Sequence, residues 1–237
     1  MIPFRDNAAP QRLTPINVAL IAINIAVFFY EVSLGSNLGA FVDHYAMVPA
    51  AIDASIRARA HFAIPLAARL MPLVTIFTSM FLHGGIWHIA GNMLYLYIFG
   101  AAVEWRMGAR RYLYFYFLSG IAAALATVLI TPTSQVPVIG ASGAIAGVLG
   151  AYFVFFPRGR ITTILPIFVF IQVIEIPAVI YLLLWFGAQL YSGLSEGGSA
   201  AAMGGVAWWA HIGGFMFGIA LAPLIANERK RKGVGWR

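Results

Sequence analysis

Six apolar runs, each close to the length of a bilayer crossing, constrain this chain more than any other feature. A membrane-spanning helix needs about 20 apolar residues. The runs extend over about Ile16–Val32, Phe81–Val103, Tyr112–Ile130, Ala141–Phe156, Glu175–Tyr191 and Met203–Ala226. Of the 237 residues, 61% are hydrophobic and only 10% are charged, more apolar surface than a soluble core can hide. The expected fold class is an all-α polytopic membrane protein, a six-transmembrane-helix bundle with a long external first loop. There are no cysteines, which excludes disulfides and thiolate-metal sites. Met1 to Thr14 lacks a short apolar stretch with a small-residue cleavage site, so the first run is read as a retained anchor.

The net charge of +7 is not a nucleic-acid footprint, because the basic residues fall in short clusters between apolar runs rather than on a continuous face. Arg5, Arg12, Arg106, Arg110, Arg111, Arg158, Arg160 and the tail (Arg229, Lys230, Arg231, Lys232, Arg237) all fall on one side of the membrane. Arg57, Arg59 and Arg69 fall on the other. The excess of positive charge places both termini in the cytoplasm. The expected organisation is a cytoplasmic segment 1–14, a membrane domain 15–226 and a basic tail 227–237 that also binds anionic lipid. The 33–80 segment is read as an external loop with short interfacial helices. Ile161–Ile174 is read as an interfacial cytoplasmic segment ahead of a short fifth span, with Glu175 at the boundary.

Polar residues inside apolar runs are costly and face protein or water. Ser142 opens the fourth run, His88 and Asn92 lie in the second, and His211 lies in the sixth. With both termini inside, these three spans run in the same direction. His88 and His211 then share the outer half of the membrane. The fourth span has 16 residues, about 24 Å of helix, against about 30 Å of hydrocarbon. Pro157-Arg158 pins its inner end, so its outer end and Ser142 are submerged. Thr131–Val138 has no helical pattern, and irregular backbone at that depth requires protein or a water-filled cavity around it.

Gly143 with Gly147, and Gly214 with Gly218, form small-residue faces that allow two helices to approach closely. His211 shares the second face, so a serine and a histidine can come within hydrogen-bond reach. His88 and Asn92, four apart, lie on one helical face, and each can donate to a developing oxyanion. The head of the fourth helix adds the Ser142 backbone N–H and a positive dipole end. Taken singly, each of these residues reads as interhelical packing or a satisfied polar group. Their convergence at one depth points to serine chemistry. No HExxH is present, His83 and His88 are out of phase for two metal ligands, and Asp6, Asp43 and Asp53 all lie outside the spans. The soluble-esterase pattern GxSxG is unmatched at Ala144. His83 is read as a structural histidine near the outer boundary, and His44 and His61 as loop-surface residues. Glu104-Trp105-Arg106 is read as a turn anchor at the cytoplasmic surface.

From Leu13 to Ala226 the chain resembles the rhomboid intramembrane serine proteases. The resemblance rests on His83-x4-His88-x3-Asn92, on Gly140-Ala141-Ser142-Gly143, and on Ala210-His211 followed by glycines. It departs from the family at Met71–Thr75, where a Trp-Arg pair is common, and at Val206, where a glycine is common. The resemblance implies Ser142 as nucleophile and His211 as general base, working as a dyad. His88, Asn92 and the Ser142 amide would form the oxyanion hole, with His83, Gly140 and Gly143 structural beside it. Span five and the 192–202 loop would form a lateral gate and cap. No metal or cofactor is implied. The implied partners are transmembrane segments of other membrane proteins; the lack of a transit peptide favours a prokaryotic plasma membrane. The alternatives are a catalytically silent relative that binds transmembrane segments, and a small transporter or channel.

Overall fold

The computed structural model describes residues 1–8, 14–58, 65–167, 170–195 and 207–226. Arg12, Arg59, His61, the 196–206 stretch with Val206, and the basic tail lie outside the described residues. Of the described helices, five are long and apolar enough to cross a membrane. They are α1 (Pro15–Ser33), a continuous segment Ile86–Met107, α7 (Ala109–Ile130), α9 (Ala178–Ser195) and α10 (Trp208–Ile225). The fourth expected span is the shorter α8 (Ser142–Phe155), 14 residues or about 21 Å. The first-loop region carries α2 (Leu38–Tyr45), α3 (Pro49–Arg57) and α4 (Leu66–Thr78). His44, on α2, is exposed as expected. The protein is a mostly helical membrane bundle.

α8 is the core of that bundle, and every residue from Gly143 to Tyr152 is buried. It packs chiefly on α10 and α7. The glycines permit this contact. A Cβ on Gly214 would strike the Gly143 carbonyl, and one on Gly218 would strike the Gly147 backbone. On the α7 side, a Cβ on Gly143 would stand 2.7 Å from that of Ala123. Burial of apolar residues around α8 joins Leu96, Phe99, Tyr112, Phe115, Tyr116, Tyr152, Tyr181 and Phe215 into one core.

The Ile86–Met107 segment is α5 (Ile86–Tyr95), a π-helical turn Leu96–Gly100, and α6 (Ala101–Met107). Asn17 of α1 fills the irregularity. Its amide donates to the Leu96 carbonyl at 2.9 Å and accepts from the Tyr112 hydroxyl at 2.8 Å. Pro15 starts α1 with its φ already helical. The orphan amides that follow are met from across the bundle, Ile16 N donating to Glu104 at 3.2 Å and Asn17 N at 2.7 Å. Glu104 is therefore a buried helix cap rather than a surface turn anchor. A carboxylate with two backbone donors tolerates burial that a solvated anchor would not.

At the end of α8 remote from Ser142 lies an antiparallel sheet of β1 (Ile2–Asp6), β2 (Arg160–Ile167) and β3 (Phe170–Pro177), in that order. Ile161–Ile174 therefore precedes a short fifth span, as expected, and it does so as a strand pair; the N-terminal segment supplies a third strand. The stretch Ile161-Thr162-Thr163-Ile164 is β-branched throughout, which suits a pleated strand. Ile161 and Thr163 alternate inward and are fully buried. Glu175 is in β3, bonded to Arg160 at 3.1 Å, and the fifth span begins after it at Ala178.

Candidate active site

Ser142 is the first residue of α8, so its own N–H is among the helix amides that lack an intrahelical acceptor. The chain arrives there through 131–141, which carries no regular structure apart from one β-bridge. Its backbone is satisfied by the first-loop region. Met47 and Val138 exchange hydrogen bonds at 3.1 and 2.7 Å, and Ala50 N donates to Ser134 at 3.0 Å. Gly140 N donates to Ser79 at 2.8 Å. The loop helices thus support the irregular segment that the sequence places at membrane depth.

Ser142, His211, His88 and Asn92 all line one cavity of about 550 Å³. Its walls come from α5 (Trp87, Gly91, Tyr95), α8 (Ile145, Leu149) and Trp185 of α9. The Tyr95 and Tyr181 hydroxyls, 2.7 Å apart, tie α5 to α9 beside it.

The polar atoms of α5 have a definite arrangement. Gly84 N donates to His88 Nδ1 at 3.3 Å, so in the neutral ring the proton sits on Nε2. That Nε2 faces Gly140, where a Cβ would stand 2.8 Å away, and the same point lies 3.6 Å from Asn92 Nδ2. Among the described residues, the buried Asn92 Nδ2 has no hydrogen-bond partner. Two N–H donors therefore converge on the approach to Ser142. Gly140 has φ +120°, a backbone state that side chains rarely adopt.

His83 stands beside this pair rather than in the cavity lining, its ring 5.1 Å from that of His88. It precedes α5, is buried, and its backbone N–H donates to the Glu31 carboxylate at 3.1 Å. His211 lies in the first turn of α10, between Trp185 (ring centroids 5.9 Å) and Trp208 (6.1 Å). Its Nδ1 is 2.6 Å from Gln189 Oε1 of α9. Among the described residues, Ser142 Oγ makes no hydrogen bond to His211. Gln189 is the site residue that the sequence reading missed. A lone carboxamide in an otherwise apolar span was the available signal.

Comparison with known proteins identifies the family of the chain. The family model described as Rhomboid domain matches residues 71–228. "Rhomboid protein 1, mitochondrial" of Saccharomyces cerevisiae is 29% identical over 167 residues, covering 67% of this chain and 45% of that protein. "Rhomboid protease GluP" of Bacillus subtilis is 45% identical over 74 residues, 31% of this chain and 14% of its own length. "Putative rhomboid protease YdcA" of Bacillus subtilis is 39% identical over 75 residues, 32% of this chain and 37% of its own. The chain covers less than half the length of each of these relatives. With the family model spanning the bundle from α4 through α10, this chain belongs to the rhomboid family of membrane proteins.

Proposed function

We propose that this protein is an intramembrane serine endopeptidase that cleaves transmembrane segments of other membrane proteins. The observation that carries the reading is the convergence of Ser142, His211, His88 and Asn92 on one cavity. Two relatives that bear the word protease in their names support the reaction class.

A substrate helix enters laterally between α5 and α9 and unwinds against the apolar wall of Ile145, Leu149 and Trp185. Ser142 Oγ adds to the scissile carbonyl while His211 Nε2 takes its proton. The serine–histidine hydrogen bond forms as substrate is seated, as such bonds commonly tighten only in the productive complex. The resulting oxyanion accepts from His88 Nε2, Asn92 Nδ2 and the Ser142 amide, each donor worth about 3–4 kcal/mol in such a site. As the C–N bond breaks, His211 returns the proton to the leaving amine. Water, deprotonated by His211, then hydrolyses the acyl-serine and frees Ser142. The excess of basic residues toward the opposite end supports a topology with both termini in the cytoplasm and the cavity toward the outer face.

The test is a set of single-span reporters with a helix-breaking centre, reconstituted with the protein in liposomes and read by mass spectrometry. Cleavage within the span, abolished by Ser142→Ala and by His211→Ala, is the expected result. Cleavage that survives Ser142→Ala would overturn it.

A further inference from the structure

We propose that Gln189 is a positioning residue that holds His211 in the tautomer a general base requires, so that the site works as a Ser142–His211 dyad oriented by Gln189. The inference rests on the protease reading above and adds a third participant from α9. A neutral imidazole has one donor and one acceptor nitrogen, and the bond made by one sets the state of the other. Gln189 Oε1 can only accept, and it lies 2.6 Å from His211 Nδ1. Nδ1 therefore carries the proton, and Nε2 is left with its lone pair. The reversed amide would put the proton on Nε2 and block proton transfer from Ser142.

The surroundings make this bond hard to exchange. Gln189 and His211 are 8% and 9% exposed, so water competes poorly for either. Among the described residues, those lining the cavity include no carboxylate that could replace the amide. An amide oxygen orients the ring without placing a full negative charge in the membrane interior, where a carboxylate is costly.

The helix face explains how the amide is held. Trp185, Gln189 and Gly193 are spaced by four and form one stripe on α9. Below Gln189, Trp185 and Phe186 pack on Phe215 with ring centroids 5.8 and 4.9 Å apart. Above it, Gly193 lies against Trp208, Trp209 and Ile212, 3.4–3.5 Å from where its Cβ would be. Gln189 is thus clamped in the middle of the α9–α10 seam, with His211 directly across it.

The test combines the ring's protonation state with reactivity. In ¹⁵N-histidine-labelled protein, the His211 signals are assigned by their loss in His211→Ala. The wild type is expected to show a protonated Nδ1 and an unprotonated Nε2, and Gln189→Met a mixture of tautomers. The rate of fluorophosphonate labelling at Ser142 is expected to fall severalfold in Gln189→Met, since the fraction of rings in the wrong tautomer cannot act as base. Gln189→Glu, which keeps an acceptor oxygen, is expected to recover most of that loss. A wild-type ring protonated on Nε2, or a folded Gln189→Met labelling at the wild-type rate, would overturn the proposal. The wild-type tautomer needs no folded Gln189 variant and no reactive serine. A protein with the expected tautomer but an inert Ser142 would instead count against the protease reading alone.

Discussion

The missing side chain of Gly140 is what lets the His88 imidazole reach the head of α8. A Cβ on Gly140 would stand 2.8 Å from His88 Nε2 and 2.9 Å from its Cε1. Both atoms belong to the ring that Gly84 has already oriented through Nδ1. The glycine's positive φ and the donor geometry beside it are one feature seen from two sides.

Gly140→Ala is therefore expected to damage the site more than the fold. The φ of +120° costs a side chain about 1–3 kcal/mol, and the His88 ring must also rotate away. The expected result is a melting temperature lowered by a few degrees, with fluorophosphonate labelling reduced at least about tenfold at temperatures where the protein stays folded. Labelling at the wild-type rate would show that His88 Nε2 is not held where the reaction needs it.

The α8–α10 contact separates two kinds of glycine. Gly218→Ala forces a Cβ into the Gly147 backbone, which cannot give way as a flexible side chain would. Gly187, on the exposed face of α9, has nothing within 4 Å of its would-be Cβ. Gly218→Ala is expected to lower stability by about 2 kcal/mol or more. Gly187→Ala is expected to leave it unchanged or raise it by up to about 1 kcal/mol. Thermal melts in one detergent compare them, and equal effects would contradict the packing described.

Glu104 caps α1 from a distance of 87 and 88 residues along the chain. Glu104→Ala leaves the amides of Ile16 and Asn17 without their acceptor in a buried setting. The expected loss is about 2–3 kcal/mol, and Glu104→Gln, which retains one acceptor oxygen, recovers part of it. A melting temperature unchanged in Glu104→Ala would remove the cap from the account.

Asp6 of β1 gives a pH-dependent test at the sheet. Burial pushes its carboxyl above the ordinary 3.8, and the hydrogen bond from Tyr152, at 3.1 Å, pulls it back only in part. A folded pKa above the unfolded one means that the folded state binds the proton more tightly. The associated stability is complete below the unfolded value and is lost as pH rises through the folded value. Asp6→Asn escapes that loss while keeping an oxygen for Tyr152. The melting temperature of the variant minus that of the wild type is expected to grow as pH rises above about 4. A constant difference would show that Asp6 titrates as an ordinary surface carboxyl.

Much of this architecture is legible in the sequence because a bilayer leaves few choices. Apolar length marks the spans, and polar residues at membrane depth mark Ser142, His88, Asn92 and His211. The same signal was present at Gln189, but it stood alone in a span without a motif, and its partner lies 22 residues away on another helix. Glu104 reads as a surface charge because its partners are backbone amides of α1, which carry no side-chain signature. The strand pair 160–177 was hidden by its apolarity. Length decides whether a run can span, whereas the β-branched residues from Ile161 to Ile164 decide whether it pleats.

The central claim is that Ser142 is an activated nucleophile, and covalent labelling tests it without knowledge of the substrate. Detergent-purified protein is treated with a fluorophosphonate and the adduct is mapped by peptide mass spectrometry. The account predicts a single adduct on Ser142, absent from Ser142→Ala and lost from His211→Ala. A folded wild type that takes no label, or a label that persists in Ser142→Ala, would contradict it.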